Sequence, residues 1–388
     1  MNPMAERRVS NYHRWLLEVT SLPTAAGCEH RVVEWLSKWV KQRRNIEMIQ
    51  DRYGNLTIQR KKNSTKSVPV YLTAHLDHPA FVIVRVTDQR EVIAEFRGGV
   101  HDAYFVNTHV RWRGDVTNAT GKNKSGKVVS CAPDARGKVI ELIKKHDGSK
   151  DKQVRIRFSK NIDAHVGDVI TWDLAASSIK RSKLHAPVCD DLAALVAALA
   201  AYDELLRSKK AHNAKLLLTR CEEVGFIGAI GACKAKTIPK NALVVALENS
   251  KSFPESPIGG GPIVRVGDRI STFHSGLTGE IAEVAKTLEK QDKTFNWQRK
   301  LMPGGACEAT AYQAYGHIAT CVCLPLGNYH NMNELKGKID HEIISMKDFD
   351  NLVKLLVAIG LNVKKSGKNG SLKTKLNKLF DSRKKLVS

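Results

Sequence analysis

The sequence predicts an α/β protein: a mixed sheet sandwiched by helices, with a small β-barrel inserted into it. Three observations carry this expectation. Short apolar runs that read as buried strands, Val68 to Leu76, Lys215 to Thr219, Ala242 to Leu247 and Ile318 to Leu324, alternate with segments of helical periodicity. Between about 78 and 182 that rhythm stops, and short β-branched runs follow one another between Gly, Asp and Asn turns, the spacing of a small barrel or sandwich. The length, 388 residues, suffices for one large or two modest domains, because single cores stop growing near ~250–300 residues. The expected organisation is a discontinuous α/β domain at 1–77 and 183–363, an insert at 78–182 and a basic tail at 364–388.

Taken in order, the chain opens with an amphipathic helix over Tyr12 to Thr20, with Leu16, Leu17 and Val19 inward, broken by Ser21-Leu-Pro-Thr-Ala-Ala-Gly27. A second helix, about Glu29 to Arg43, sets Val32, Val33, Leu36, Trp39 and Val40 at helical spacing. Two strands, Asn45 to Gln50 and Asn55 to Gln59, flank the turn Asp51-Arg-Tyr-Gly54, and the strand from Val68 runs into His75-Leu76-Asp77. The insert offers Val82 to Val86, Glu91 to Phe96, Gly126 to Ser130, Gly137 to Leu142, Gln153 to Phe158 and Val169 to Trp172 as strands. From His185 the α/β rhythm resumes: Asp190 and Asp191 open an Ala/Leu helix to about Ser208, and Ile227 to Lys234 is helical. The strand Ala242 to Leu247 ends on Glu248, and helices follow at Ser275 to Gln291, Glu308 to Tyr315 and Met346 to Val363. The tail, rich in Lys, Ser, Gly and Asn, is expected to be solvated and mostly disordered, with Lys375 to Phe380 able to form a short helix.

Composition excludes some classes. The longest apolar run, near Ala186 to Tyr202, carries Asp190 and Asp191, so no transmembrane helix is expected. The first residues, Met-Asn-Pro-Met-Ala-Glu-Arg-Arg, lack the apolar centre of a signal peptide, which points to a cytoplasmic protein whose eight cysteines are reduced and mostly buried. Lys and Arg number 62 against 39 acids, a net charge of +23 that attracts phosphate-rich polymers. Much of the excess lies in solvated stretches such as Lys41 to Arg44, Arg60 to Lys66 and the tail, and no aromatic-interleaved basic motif accompanies it. Nucleic acid is therefore not the expected substrate.

Chemistry concentrates where apolar strands end. Leu216-Leu-Leu-Thr-Arg-Cys-Glu-Glu-Val-Gly225 drives a strand into two adjacent carboxylates and then a glycine. His75, Asp190, Glu223 and Glu248 each lie at a strand end or a helix opening, where open α/β sheets build their sites, and His330 follows the strand Ile318 to Leu324 across a short loop. Two imidazoles and three carboxylates suit Zn, Co or Mn, and five ligands exceed the need of one tetrahedral ion. A pair of ions bridged by one carboxylate is the simplest solution. Taken singly, each residue has an ordinary reading: a polar strand end for Glu222-Glu223 and Glu248, a structural imidazole for His75, a helix cap for Asp190-Asp191. His78, His101 and His185 stand outside the set.

In that order, His75-x-Asp77, Asp190-Asp191, Glu222-Glu223, a later strand-end acid and a last His330, the chain resembles the dinuclear metallopeptidase superfamily of M20, M28 and M42 exopeptidases. It is most similar to the M42 family of glutamyl and tetrahedral aminopeptidases. Ala26-Gly27 to Arg31, Asp51, Gly54-Asn55-Leu56, Val166-Gly-Asp-Val-Ile-Thr-Trp172, Glu222-Glu-Val-Gly225, Gly304-Gly-Ala-Cys-Glu308-Ala and Tyr329-His330 extend the likeness to about residue 363. The resemblance implies a zinc-exopeptidase-like fold and a cytosolic aminopeptidase that cleaves N-terminal residues from short peptides using two divalent ions. It implies that His75 and Glu248 ligate one ion, Glu223 and His330 the other, and Asp190 both. Glu222 would be the general base, Asp77 would orient His75, and the Asp190–Asp191 peptide would be cis. It further implies a homo-oligomer, from dimers up to dodecameric shells, assembled through the insert. The sequence departs from the family at His78-Pro79, where an acid and a small residue are usual, and at Glu308, where an Asp is usual. Glu248 stands where related aminopeptidases carry Asp and some carboxypeptidases and deacylases carry Glu. A related amidohydrolase is thus the alternative enzyme, and a non-catalytic peptide- or RNA-binding protein the alternative of another class.

Overall fold

The structure is a computed structural model that describes residues 3–62, 68–114, 134–143, 152–208, 213–363 and 370–383. Its centre is an eight-stranded mixed sheet in the order Ile46–Gln50, Leu56–Arg60, Ala214–Thr219, Val70–His75, Leu243–Lys251, Ile318–Leu326, Ile263–Gly267, Gln298–Leu301. The four middle strands, from Ala214–Thr219 to Ile318–Leu326, run parallel. They are apolar almost throughout, as strands covered on both faces must be. Alternation divides their side chains between two cores. Val70, Leu72, Ala74, Val245 and Leu247 meet the helices Pro3–Val19, His30–Lys41, Leu192–Arg207 and Met346–Asn362, whereas Tyr71, Leu217, Val244, Ala246, Cys321 and Cys323 meet Ile227–Ala235 and Glu308–Ala314. Leu192–Arg207 is buried along nearly its whole length. Its alanines let it lie close against the sheet, with helix Met346–Asn362 packed beside it and also touching strand Ile318–Leu326.

A closed barrel of Ala80–Asp88, Glu91–Arg97, Lys152–Phe158, Asp134–Ile143, His109–Arg113 and Val169–Trp172 interrupts this layer. Its interior is aromatic: Phe81 lies 4.8 Å from both Phe96 and Trp172, and Phe96 4.9 Å from Phe105, mostly edge to face. The strand His109–Arg113 stands where none is expected from sequence. Val110 and Trp112 point inward, but the arginines between them hide the pattern; Arg111 is held outside by Asp134 and Asp173 at 2.8 and 2.7 Å. The expected strand Gly126 to Ser130 lies outside the described residues.

Other expectations shift. The first helix begins at Pro3, and Tyr12 and Trp15 join Leu16 and Val19 inside, leaving Leu17 half-buried. The strand that holds Glu248 continues to Lys251, because Asn249 to Lys251 pair with Leu324 to Leu326; Glu248 is therefore an interior strand residue, not a terminal one. Ser178–Lys180, Lys183–Ala186 and Glu342–Ser345 form a small antiparallel sheet, so the expected boundary at 182 falls in the turn between its first two strands. In the tail, where mostly disorder is expected, Gly370–Arg383 is a helix with Leu376, Leu379 and Phe380 exposed. The seven described cysteines are free; Cys28 and Cys221 are half-buried and the other five buried. Among the described residues, no helix is long and apolar enough to cross a membrane.

Candidate metal centre

His75 closes its strand, with Thr219 as its neighbour across the parallel ladder, so the chain leaving Thr219 emerges beside the imidazole. It turns at once: Cys221 adopts φ 54° and Gly225 φ +114°, and the N–H groups of Gly225 and Phe226 both donate to the Glu222 carbonyl, at 2.8 and 2.9 Å. A side chain at Gly225 would be strained in that conformation, and the turn is what sends Glu222 and Glu223 in different directions. Asp190 and Asp191 precede the helix Leu192–Arg207 and are joined by a cis peptide. The Asp191 side chain makes no capping bond and instead accepts the backbone N–H of His75 at 3.3 Å, which removes the ordinary cap reading. Glu248 shares a strand face with Val244 and Ala246, and His330 sits in the loop after Ile318–Leu326 at φ 54°.

The side chains converge at two poles. At the first, His75 Nε2 lies 3.4 Å from Asp190 Oδ1, 3.7 Å from Glu248 Oε1 and 3.9 Å from Glu222 Oε2. At the second, His330 Nε2 lies 3.6 Å from Asp190 Oδ2 and 3.4 Å from Glu223 Oε2. One oxygen of Asp190 thus faces each imidazole. All five sequence-predicted ligands come together, and Glu222 stands beside them.

The donor chemistry fits cations at these poles. The Nδ1–H of His75 donates to the Asp77 carbonyl at 3.1 Å and that of His330 to the Gly99 carbonyl at 2.6 Å, which leaves Nε2 of each ring facing the carboxylates, where either a proton or a cation can sit. Charge-assisted bonds would draw such pairs to about 2.7–2.9 Å. The observed gaps instead match the ~3.3–3.6 Å between ligand atoms that share a tetrahedral ion at about 2.0–2.2 Å. His75 Nε2, Asp190 Oδ1 and Glu223 Oε1 are buried without a hydrogen-bond partner among the described residues. Such orphans are costly unless something else satisfies them. Burial works against charge on every acid here, yet His330 and His75 hold Asp190 below the usual carboxylate range, whereas its neighbours rise. Burial pushes Glu223 up to about 7 against the pull of His330, and raises Glu222 and Glu248 well above the carboxylate range. Burial opposes charge on His330, yet Glu223 and Asp190 lift it to about 9.

Surrounding groups fix the ligands, some unforeseen from sequence. The Asp77 carboxylate lies 3.7 Å from His75 Nδ1, beyond bonding reach, so the expected orienting role passes to the Asp77 main-chain carbonyl. Its carboxylate accepts the backbone N–H of Glu222 and of Glu223. His78, excluded as a ligand, donates through Nδ1 to the Asp190 carbonyl at 2.6 Å, has Nε2 3.0 Å from Asn331 Oδ1, and is pushed down to about 4 by burial. Glu308 is buried behind the site, accepts from the Tyr312 hydroxyl at 3.3 Å and is pushed up to about 7 by burial. Sequence reasoning missed Gly99 and Glu342; the latter accepts the backbone N–H groups of Cys189, Asp190 and His330. Asp340-His341-Glu342 before a β-branched run is a signal for Glu342, whereas a carbonyl such as that of Gly99 leaves none.

A parallel-centred sheet with imidazoles and carboxylates gathered beyond its strand ends, interrupted by a barrel after the strand that carries the first imidazole, is an exopeptidase-type α/β architecture. Residues 54–355 match the model of the M42 glutamyl aminopeptidases, and the chain belongs to that family of metal-dependent hydrolases that act on peptides. Solved structures share the fold. An aminopeptidase of the archaeon Desulfurococcus kamchatkensis superposes with a TM-score of 0.72 at 18% identity, over 92% of this chain and 96% of that one. The Pyrococcus horikoshii TET1 peptidase, described as assembling into a tetrahedron or a large octahedral shell, gives 0.69 at 18%, over 90% and 99%. An M18 aminopeptidase of Thermotoga maritima gives 0.64 at 12%, over 91% and 96%. At such identities the likeness is one of fold. No curated protein matches the sequence.

Proposed function

We propose that the protein is a metal-dependent aminopeptidase that removes N-terminal residues from short peptides. The observation that carries this reading is the pair of Nε2 atoms, of His75 and His330, each facing one oxygen of Asp190. His75, Asp190 and Glu248 would hold one divalent ion and Asp190, Glu223 and His330 the other, groupings whose ligand atoms lie within 4.8 Å of one another. When bound, Zn, Co or Mn ions would polarise the scissile carbonyl and acidify the attacking water. Glu222 takes that water's proton and delivers it to the leaving amine; it is 8% exposed, and its desolvation makes it a stronger base than a free carboxylate. Asp77, bonded to the Glu222 N–H, keeps the base in register with the site. A pocket walled by so many acids attracts the free ammonium of a peptide's N-terminus, which favours exopeptidase action.

The shell-forming neighbours support a homo-oligomer, with the barrel as the unit of assembly and of substrate access. The seven described cysteines, all free, suit the reducing cytoplasm. Glu248 motivates the second reading, an N-acyl deacylase or carboxypeptidase on the same centre. The deciding experiment loads the purified full chain with Co, Mn or Zn and screens aminoacyl, peptidyl and N-acyl substrates. Aminoacyl turnover is expected; turnover of blocked substrates alone moves the protein to the second reading. Protein that binds fewer than two ions and cleaves no amide sinks the enzyme.

A further inference from the structure

Glu342 is fully buried, and both its oxygens are committed to main-chain donors of residues at the metal centre. Oε2 accepts from the N–H of Cys189 at 2.6 Å and of Asp190 at 3.0 Å; Oε1 accepts from the N–H of His330 at 2.9 Å. These donors lie on two separate segments, the approach to helix Leu192–Arg207 and the loop after strand Ile318–Leu326. The strand that carries Glu342 is strapped to both. Glu342 is the ladder partner of Ala186, and Ile343 exchanges two backbone bonds with Gly327, at 2.9 and 3.0 Å. His330 also sits in the left-handed region at φ 54°, a conformation that costs a non-glycine residue free energy and persists only where neighbours enforce it.

We infer that Glu342 is a positioning residue: one carboxylate sets the separation of Asp190 and His330, and through it the geometry of the pole they share with Glu223. The inference rests on the metal-centre reading above. It assigns Glu342 no contact with substrate or ion. A glutamine of the same size keeps its carbonyl oxygen on the N–H groups of Cys189 and Asp190 only by turning its NH2 group toward the N–H of His330, so the orientation that saves two of the three bonds releases His330 from its place.

The test is a titration of metal-free full-length protein with Co(II), followed by calorimetry and by the visible absorption of each bound ion. Wild type is expected to take two ions. In Glu342→Gln, affinity for one ion should fall about 10–100-fold, the usual loss when a ligand's supporting partner is removed, while the other stays within about threefold. The weakened ion should be the one that His330→Ala abolishes. Glu342→Gln that binds both ions as wild type does overturns the inference alone, as does an equal loss of both. Should Glu342→Gln fail to fold by circular dichroism, Glu342→Asp, which keeps the charge and retracts it by one methylene, is titrated instead. The same one-sided loss supports the inference, and equal affinities or equal losses overturn it. Wild type that takes up no ion pair overturns the metal-centre reading, and this inference with it.

Discussion

The Asp77 carboxylate spans the Glu222–Glu223 peptide, accepting the N–H of Glu222 on Oδ1 and that of Glu223 on Oδ2, each at 3.0 Å. One side chain from the end of the first central strand thereby fixes the backbone from which the proposed base and a proposed ligand project. The His75 ring is held by the Asp77 carbonyl, which no substitution at that side chain removes. Asp77→Ala should therefore separate two functions. Ion binding at the His75 pole should persist, while kcat falls by about 10²-fold or more through misplacement of the base. One buried and one part-buried N–H group left without acceptors should also lower stability by about 1–3 kcal/mol. Metal content by mass spectrometry and steady-state kinetics check this; loss of the His75-pole ion with kcat preserved would contradict the assignment.

Glu222→Gln tests the base itself. The amide has nearly the same shape and keeps the turn, whose bonds use the Glu222 carbonyl and N–H rather than its side chain. Two ions per chain should remain and turnover should fall by about 10²–10⁴-fold, the usual worth of general acid–base catalysis. Turnover near wild type in the metal-loaded variant assigns proton transfer to another residue.

The proposed ligands are legible because each breaks a local pattern. Glu222-Glu223 follows an apolar strand, Asp190-Asp191 precedes an alanine-rich helix, and His75 ends a buried run. Glu248 was legible as an acid in an apolar strand but not as mid-strand, since Asn249 to Lys251 do not look apolar and are held there by Leu324 to Leu326. The supports were harder to see. Gly99 acts through its carbonyl, which every residue has, and Glu342 acts on main-chain N–H groups, those of Cys189 and Asp190 being far away in sequence. The strand His109–Arg113 escaped because its outward positions carry arginines whose partners come from other parts of the barrel.

One of those outer ion networks predicts a pH dependence. Glu91 accepts from Arg155 at 3.0 Å and from Arg157 at 3.1 and 2.8 Å, and these guanidinium groups hold its carboxyl below the usual range, Arg157 foremost. A depressed native carboxyl contributes stability above its unfolded pKa, about 4.3, and that contribution is lost as pH falls through the lower native value. Glu91→Gln should cost about 1 kcal/mol near pH 7, where partly exposed arginines limit the gain. The difference from wild type should shrink below about pH 4.3. Melting curves across pH check the sign; a difference that grows on acidification rules out the network as its source.

Removal of the ions should destabilise the fold, because the centre concentrates carboxyls around only two imidazoles. Asp77, Asp190, Asp191, Glu222, Glu248, Glu308 and Glu342 are all buried there, and burial raises most of those whose values move. An ion that binds only the folded chain stabilises it by about 2.7 kcal/mol at a hundredfold excess over its dissociation constant. Chelation of loaded protein should therefore lower the melting temperature by several degrees, and adding back Co, Mn or Zn should restore it. Asp190→Asn, which removes a charge from the carboxylate shared by both poles, should abolish most of that recovery without unfolding the sheet beneath it. Identical melting with chelator and with each metal, in wild type as in Asp190→Asn, would mean that these acids are balanced by protons alone and that the two poles hold no ion.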